Sequence, residues 1–334
     1  MFRRTRRVFA ILPVITLIAL LTGGCQSSGL VEPLDEVTVQ LSWTHWAGFS
    51  GFYAADQNGY YLAEKLGVKL MPGGRGIDPL ISVLDGSAQF GIIDAAELIT
   101  ARAEGKQLRA VATINRRSPL VFITLPGTDI TGPQDFAGKT IRVAFGMSTT
   151  LQAMTGRFGV GPDQYTQVRI PSDLAKFSSG DPAIWGVYIT GFAADLQLAG
   201  QEFQRIFPDD YGVHFYGNTI FATDDLIADN PELVTRFLRA TLKGYADTVE
   251  NPSKTGTLVT VYKPDADPSL ETAKMKASLP LIHTGEDHIG WMNPEVWAGM
   301  EHTLRQQGIL DGAVELDKVY TMEFLQQIYS DGGV

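Results

Sequence analysis

The chain has 334 residues, 44% of them hydrophobic and 19% charged, with 27 Lys and Arg against 37 Asp and Glu. That length suits two domains with sizeable cores, and the composition excludes a disordered or fibrous chain. The net charge of -10 argues against nucleic acid or an anionic membrane surface as the main partner, and a single cysteine excludes a disulfide framework, a Cys-rich zinc module and a Cys-ligated iron–sulfur cluster.

Arg3, Arg4, Arg6 and Arg7 precede an apolar stretch from Val8 to Leu21, and Thr22, Gly23, Gly24 and Cys25 follow it. A basic start, a short apolar core and small residues form a secretory signal; the apolar run is shorter than the roughly 20 residues that a membrane span needs. The solitary cysteine behind the small residues resembles the processing site of a bacterial lipoprotein, although Thr22 stands where an aliphatic residue is usual. The resemblance implies a signal over residues 1–24, a lipid on Cys25 and a tether over residues 25–36. The expected product is extracytoplasmic and lipid-anchored to the bacterial membrane. Losing residues 1–24 removes four arginines and no acid, which leaves 23 basic against 37 acidic side chains, a clearly acidic protein.

Along the mature chain, strand and helix alternate. Val37 to Ser42 predicts a first strand, and Gly51 to Leu66 a helix broken at Asn58-Gly59. Val68–Met71, Phe90–Ile93, Leu108–Ile114 and Leu120–Thr124 read as strands. Asp78 caps a helix through Leu84 with Pro79 at its first position, and Ala95–Ala103 is helical. The pattern restarts with a strand over Lys139–Phe145, a helix from about Thr149, strands at Val168–Ile170, Ala183–Ile189 and Phe203–Phe207, and a helix over Ser172–Ser178. After an extended run from His214 to Thr223 the chain is helical, and Pro231–Val249 has the clearest apolar face. The expectation is an α/β protein of two lobes with mostly parallel sheets and a helical C-terminal segment. Lobe 1 takes residues 37–123 and 221–334, lobe 2 residues 124–220, and two hinge crossings lie near 121–126 and 214–222. A cleft between such lobes, at the carboxyl ends of strands, is where small molecules bind.

The segment Leu41 to Tyr61, with Trp43, Gly51, Tyr53, Ala54 and Gly59-Tyr60-Tyr61, is distinctive. So are Gly73-Gly74, Phe90-Gly91-Ile92 with Asp94-Ala95, Asp135-Phe136-Ala137-Gly138-Lys139, and Phe237-Leu238-Arg239-Ala240. These resemble the solute-binding family that holds thiamine-pyrimidine-precursor, riboflavin, sulfonate, taurine and nitrate receptors of ABC transporters, and most of all its pyrimidine-precursor and riboflavin members. The resemblance implies the two-lobed periplasmic-binding-protein fold. It also implies capture of a planar nitrogen heterocycle and delivery to an ABC permease by a monomer, with no cofactor, no metal and no catalysis. The same family includes thiamine pyrimidine precursor synthases, whose chemistry uses a histidine and a cluster of cysteines; with Cys25 alone, this chain lacks that cluster. A receptor for a small sulfonate or nitrate anion is the other alternative.

Candidate ligand contacts follow from strand ends and from this resemblance. Trp43 ends the first strand and offers a stacking face, with Trp46 expected to pack inside; His45 and Tyr53 follow in the same segment. Asp94 ends the strand Phe90–Ile93 as either a helix cap or an acceptor for ring N–H groups, and Glu97 lies one turn on. Ser148 and Thr149 open a helix after Gly146 and suit an anion or carbonyl oxygen. Trp185 and Tyr188 end the later strand of the second lobe; Tyr188 is the expected second stacking face. Relatives carry Asn-Glu-Pro after this tyrosine where Thr190-Gly191-Phe192 stands here. Tyr216 and Asn218 lie on the second crossing with His214. His283, Glu286, Asp287 and His288 have no metal-site spacing and read as a polar loop. No Lys or Arg lies in residues 41–59, 145–156 or 185–200, so the anionic ligand lacks its charge partner.

Overall fold

β1 (Asp35–Gln40) alternates as its sequence requires, with Val37 and Val39 buried. The structure is a computed structural model that describes residues 1–2, 33–74, 76–144, 147–283, 285 and 288–333. The expected signal, Cys25 and the tether up to residue 32 lie outside the described residues, as do Gly146, Glu286 and Asp287. No helix among the described residues is long and apolar enough to cross a membrane.

After β1 come α1 (Ser50–Gln57), α2 (Tyr60–Ala63), β2 (Leu66–Met71), α3 (Pro79–Leu84), β3 (Phe90–Ile93), α4 (Ala95–Ala103) and β4 (Leu108–Asn115). Gly59 separates α1 from α2 at φ +73°, a left-handed conformation that suits glycine. Asp78 accepts the Leu80 N–H at 2.9 Å and Pro79 opens α3, the start that the sequence predicts. The chain then runs through β5 (Leu120–Thr124), β6 (Thr140–Arg142), α5 (Ser148–Gly156), β7 (Thr166–Val168), α6 (Leu174–Ser179), β8 (Ile184–Tyr188), α7 (Phe192–Leu198) and β9 (Gln204–Ile206). It returns through β10 (Gly217–Thr223) to α8 (Asp224–Asp229), α9 (Pro231–Glu250), α10 (Thr255–Tyr262), α11 (Pro268–Ile282), α12 (Pro294–Gln306) and α13 (Glu323–Ser330).

The strands form two five-stranded sheets, ordered β2-β1-β3-β10-β4 and β7-β6-β8-β5-β9. Both sheets are mixed, whereas the alternating pattern predicts mostly parallel pairing. β10 runs antiparallel to β3 and β4, and β5 antiparallel to β8 and β9. The reason is connectivity. β5 is the first strand to enter the second sheet and β10 the first to return, and each enters from the side where the other strands end. Both strands lie wholly within one sheet, so the chain crosses at residues 116–119 and 207–216, a little ahead of the positions expected from sequence.

The larger core lies around the first sheet and the C-terminal helices. Phe237 of α9 stacks on Phe90 at 4.0 Å and on Tyr61 at 5.8 Å. A smaller core of Val121, Ile123, Phe177, Trp185, Val187, Ala193 and Leu196 lies under α6 and α7. α1 and α9 approach closely at two glycines: a Cβ on Gly51 would meet the Tyr245 ring at 2.2 Å, and one on Gly244 the Gly51 carbonyl at 2.1 Å.

Candidate functional site between the two sheets

The carboxyl ends of β1, β2 and β3, with the start of β10, form one face. It meets the end of β8 of the second sheet through Tyr188. On the first side the buried Gln40 amide donates to the Leu41, Met71 and Pro72 carbonyls at 3.2–3.3 Å, which fastens β1 to β2 where both end. Gly73 then donates its N–H to the Trp43 carbonyl at 2.9 Å; a Cβ there would lie 2.3 Å from the Leu41 oxygen, so only glycine permits this approach.

This clamp holds the loop that carries the aromatic residues. Trp46 packs on Gly48 and Phe49, whereas Trp43 is 50% exposed. The Tyr53 hydroxyl accepts the Trp46 N–H at 3.3 Å and shares a 3.0 Å hydrogen bond with His45 Nδ1, whose direction follows the imidazole tautomer. Burial lowers the His45 pKa and favours the neutral imidazole. Tyr53 is fully buried, its ring stacked on Tyr262 at 4.4 Å. It holds the loop in place, its hydroxyl taken up by Trp46 and His45 and its ring by Tyr262.

Asp94 sits at the N-cap position of α4, but its side chain makes no cap bond. Oδ1 accepts the Asn218 N–H at 3.1 Å, and Oδ2 accepts the Tyr188 hydroxyl at 3.0 Å. One carboxylate therefore ties β3 to the returning strand and to the opposite sheet. Burial raises the Asp94 pKa, and these two donors oppose that rise. Asn218 has φ +43°, which an asparagine tolerates better than most residues. The Glu97 carboxyl, one turn along α4, has no hydrogen-bond or ion-pair partner among the described residues. Burial first, then the charges of Asp94 and Asp78, push its pKa up to about 8, so it is largely protonated at neutral pH. A neutral carboxyl presents a donor and an acceptor side by side.

On the second side, Ser148 donates to the Gln167 amide oxygen at 2.7 Å, and Ser148 and Thr149 are half-buried in the first turn of α5. Tyr188 is half-buried and bound to Asp94 as described. Trp185 does not reach this space. Alternation along β8 turns it to the opposite face, where its indole N–H donates to the Pro182 carbonyl at 2.8 Å and its ring stacks on Phe192 at 5.6 Å. Tyr216 is likewise internal: it is 1% exposed, its hydroxyl accepts the Asn293 N–H at 2.9 Å, and its ring meets Trp297 edge-on. His214 pairs with Asp209, and His288 stacks on Tyr329. No group of three or more potential metal ligands occurs among the described residues.

Three charged residues that the sequence reading passed over, Lys274, Glu271 and Asp195, join the two sides. Lys274 of α11 lies 3.1 Å from Glu271 and 3.3 Å from Asp195 of α7, and Glu271 also accepts the Ala47 N–H at 2.6 Å. Arg116, 6% exposed, begins the first crossing. Sequence position alone could not flag Lys274: it lies about 80 residues from Asp195 and outside every strand-end loop.

Several named relatives match most of the chain. The riboflavin-binding protein RibY of Chloroflexus aurantiacus is 25% identical over 305 residues, 87% of this chain and 86% of that protein. The formylaminopyrimidine-binding protein of Halalkalibacterium halodurans is 26% identical over 318 residues, 90% of this chain and 96% of that protein. 4-Amino-5-hydroxymethyl-2-methylpyrimidine phosphate synthases are also among the relatives. The periplasmic aliphatic sulphonate binding protein SsuA of Escherichia coli superposes with a TM-score of 0.66 at 15% identity, covering 85% of this chain and 91% of that one, which establishes the periplasmic-binding-protein fold. The model of the NMT1/THI5 like family matches residues 46–255, more than half of the chain. The chain belongs to the NMT1/THI5 like family.

Proposed function

We propose that this protein captures a planar nitrogen heterocycle, riboflavin or a thiamine pyrimidine precursor, in the space between its two sheets and delivers it to an ABC permease. The observation that carries the reading is the junction of Asp94 with Tyr188 across the two lobes. It brings an aromatic ring of lobe 2 to the end of β3, one helical turn from the Glu97 carboxyl. Trp43 and Tyr188 supply stacking faces, Glu97 a donor and acceptor for the polar edge of a ring, and Ser148 and Thr149 further hydroxyls. The names of the riboflavin-binding and formylaminopyrimidine-binding relatives support the same ligand class. His45 and Asn218 border the loop and the crossing and complete the proposed contacts.

Binding without catalysis is the reading for this chain. Its single cysteine offers no thiol cluster for a synthase, and Tyr53 and Asp94 are spent on structural hydrogen bonds. A sulfonate or nitrate would need a free cation; Lys274 is already shared between two carboxylates. The basic, apolar and small-residue start supports export, and Cys25 supports a lipid anchor, which leaves a monomer outside the cytoplasm beside its permease.

Mass spectrometry of small molecules retained by the purified protein tests this directly. A flavin or an aminopyrimidine is the expected find, and retention of a sulfonate would replace the reading. Trp43→Ala should weaken binding of the retained compound by about 1–3 kcal/mol.

A further inference from the structure

The two lobes meet at a second polar junction besides Asp94–Tyr188. Lys274 bridges Glu271, within its own lobe and helix, and Asp195, in the first turn of α7 on the other. Glu271 has a side chain only 4% exposed, and its second oxygen accepts the N–H of Ala47. Ala47 directly follows Trp46 and opens the turn Ala47–Phe49 that leads into α1. The aromatic loop, a buried carboxylate, a nearly buried ammonium (12% exposed) and the opposite lobe are thus joined in series by three contacts of 2.6–3.3 Å.

We propose that Lys274 is a positioning residue that couples the Trp46–Ala47 turn of one lobe to α7 of the other, so that the aromatic loop is held rigidly only when the lobes are together. The inference rests on the binding function proposed above. When the lobes part, Lys274 stays with Glu271, Asp195 passes to water, and water reaches the Glu271–Ala47 hydrogen bond. When they meet, Lys274 is desolvated between two carboxylates, where its attraction to both is strongest. Closure thereby tightens a turn that Asp195 itself does not touch.

Asp195→Asn is the informative variant, because it removes the charge of the interlobe arm and leaves the buried Glu271–Lys274 pair intact. Hydrogen exchange of the ligand-free full chain, followed by mass spectrometry, should show faster exchange in residues 46–50 of the opposite lobe. Asp195→Glu, which keeps the charge, should restore the wild-type rate. Lys274→Met should give at least as large an effect. A second reading uses riboflavin as the probe: Asp195→Asn should raise its dissociation rate about two- to fivefold and leave the association rate nearly unchanged, the size that suits a pair whose carboxylate is 41% exposed. Unchanged exchange in residues 46–50 of Asp195→Asn overturns the coupling, whatever the ligand proves to be. Failure of riboflavin to bind the wild type counts against the proposed ligand, while the exchange result still decides the coupling.

Discussion

Asp94 and Glu97 show how far one residue's role depends on contacts that only the fold creates. In the sequence both are acids at a helix start, and a cap is an equal reading for Asp94. In the structure the Asp94 side chain caps nothing and spends its oxygens on Asn218 and Tyr188, while the Glu97 carboxyl has neither hydrogen bond nor salt bridge among the described residues. Tyr188→Phe should leave a buried carboxylate oxygen without its donor and cost about 1–3 kcal/mol of stability, read by urea unfolding, while keeping the ring. An unchanged midpoint would show that the interlobe bond adds nothing. Glu97 carries a pH signature. Its pKa rises from 4.5 to about 8 on folding, so between those values the folded chain holds a proton that the unfolded chain has lost. Stability from this group is full below about pH 4.5 and is lost as pH rises through 8, with a slope of at most roughly 1.4 kcal/mol per pH unit. Glu97→Gln should flatten that fall in melting curves recorded from pH 5 to 9; an identical slope in the variant would mean that Glu97 is ionised in the folded protein.

At the scale of elements, the sequence was most readable where a local signal is strong. The Asp78-Pro79 start of α3, the Asn58-Gly59 break and the Pro231 start of α9 all appear where the pattern places them. Facing was harder to read. Trp185 and Tyr188 stand three apart on one strand, and the pleat sends them to opposite faces, one to the core and one toward Asp94. The mixed pairing of the sheets was hidden for a different reason: strand direction depends on which lobe the chain comes from, and no local pattern encodes that. The α1–α9 contact adds a test at this scale. Gly51→Ala would push a methyl group into the Tyr245 ring and should destabilise the protein by about 1–3 kcal/mol, an overpacking cost measurable by denaturant titration. A neutral effect would mean that the two helices part without loss.

For the molecule as a whole, the alternation of elements and the Leu41–Tyr61 resemblance made the fold and the family legible before any contact was known. What stayed hidden is how the lobes meet. Asp94 with Tyr188 and Lys274 with Asp195 join residues 94 and 79 positions apart, and such pairs arise from packing, not from periodicity. In the proposed function the two junctions belong to the closed state, and contacts formed only there draw the lobes together. The most direct test of the central claim is isothermal titration calorimetry of the purified protein with riboflavin, 4-amino-5-hydroxymethyl-2-methylpyrimidine, taurine and nitrate. Saturable binding of one of the two heterocycles, with no heat from taurine or nitrate, is the predicted result; saturable binding of taurine or nitrate, with no heat from either heterocycle, would contradict it.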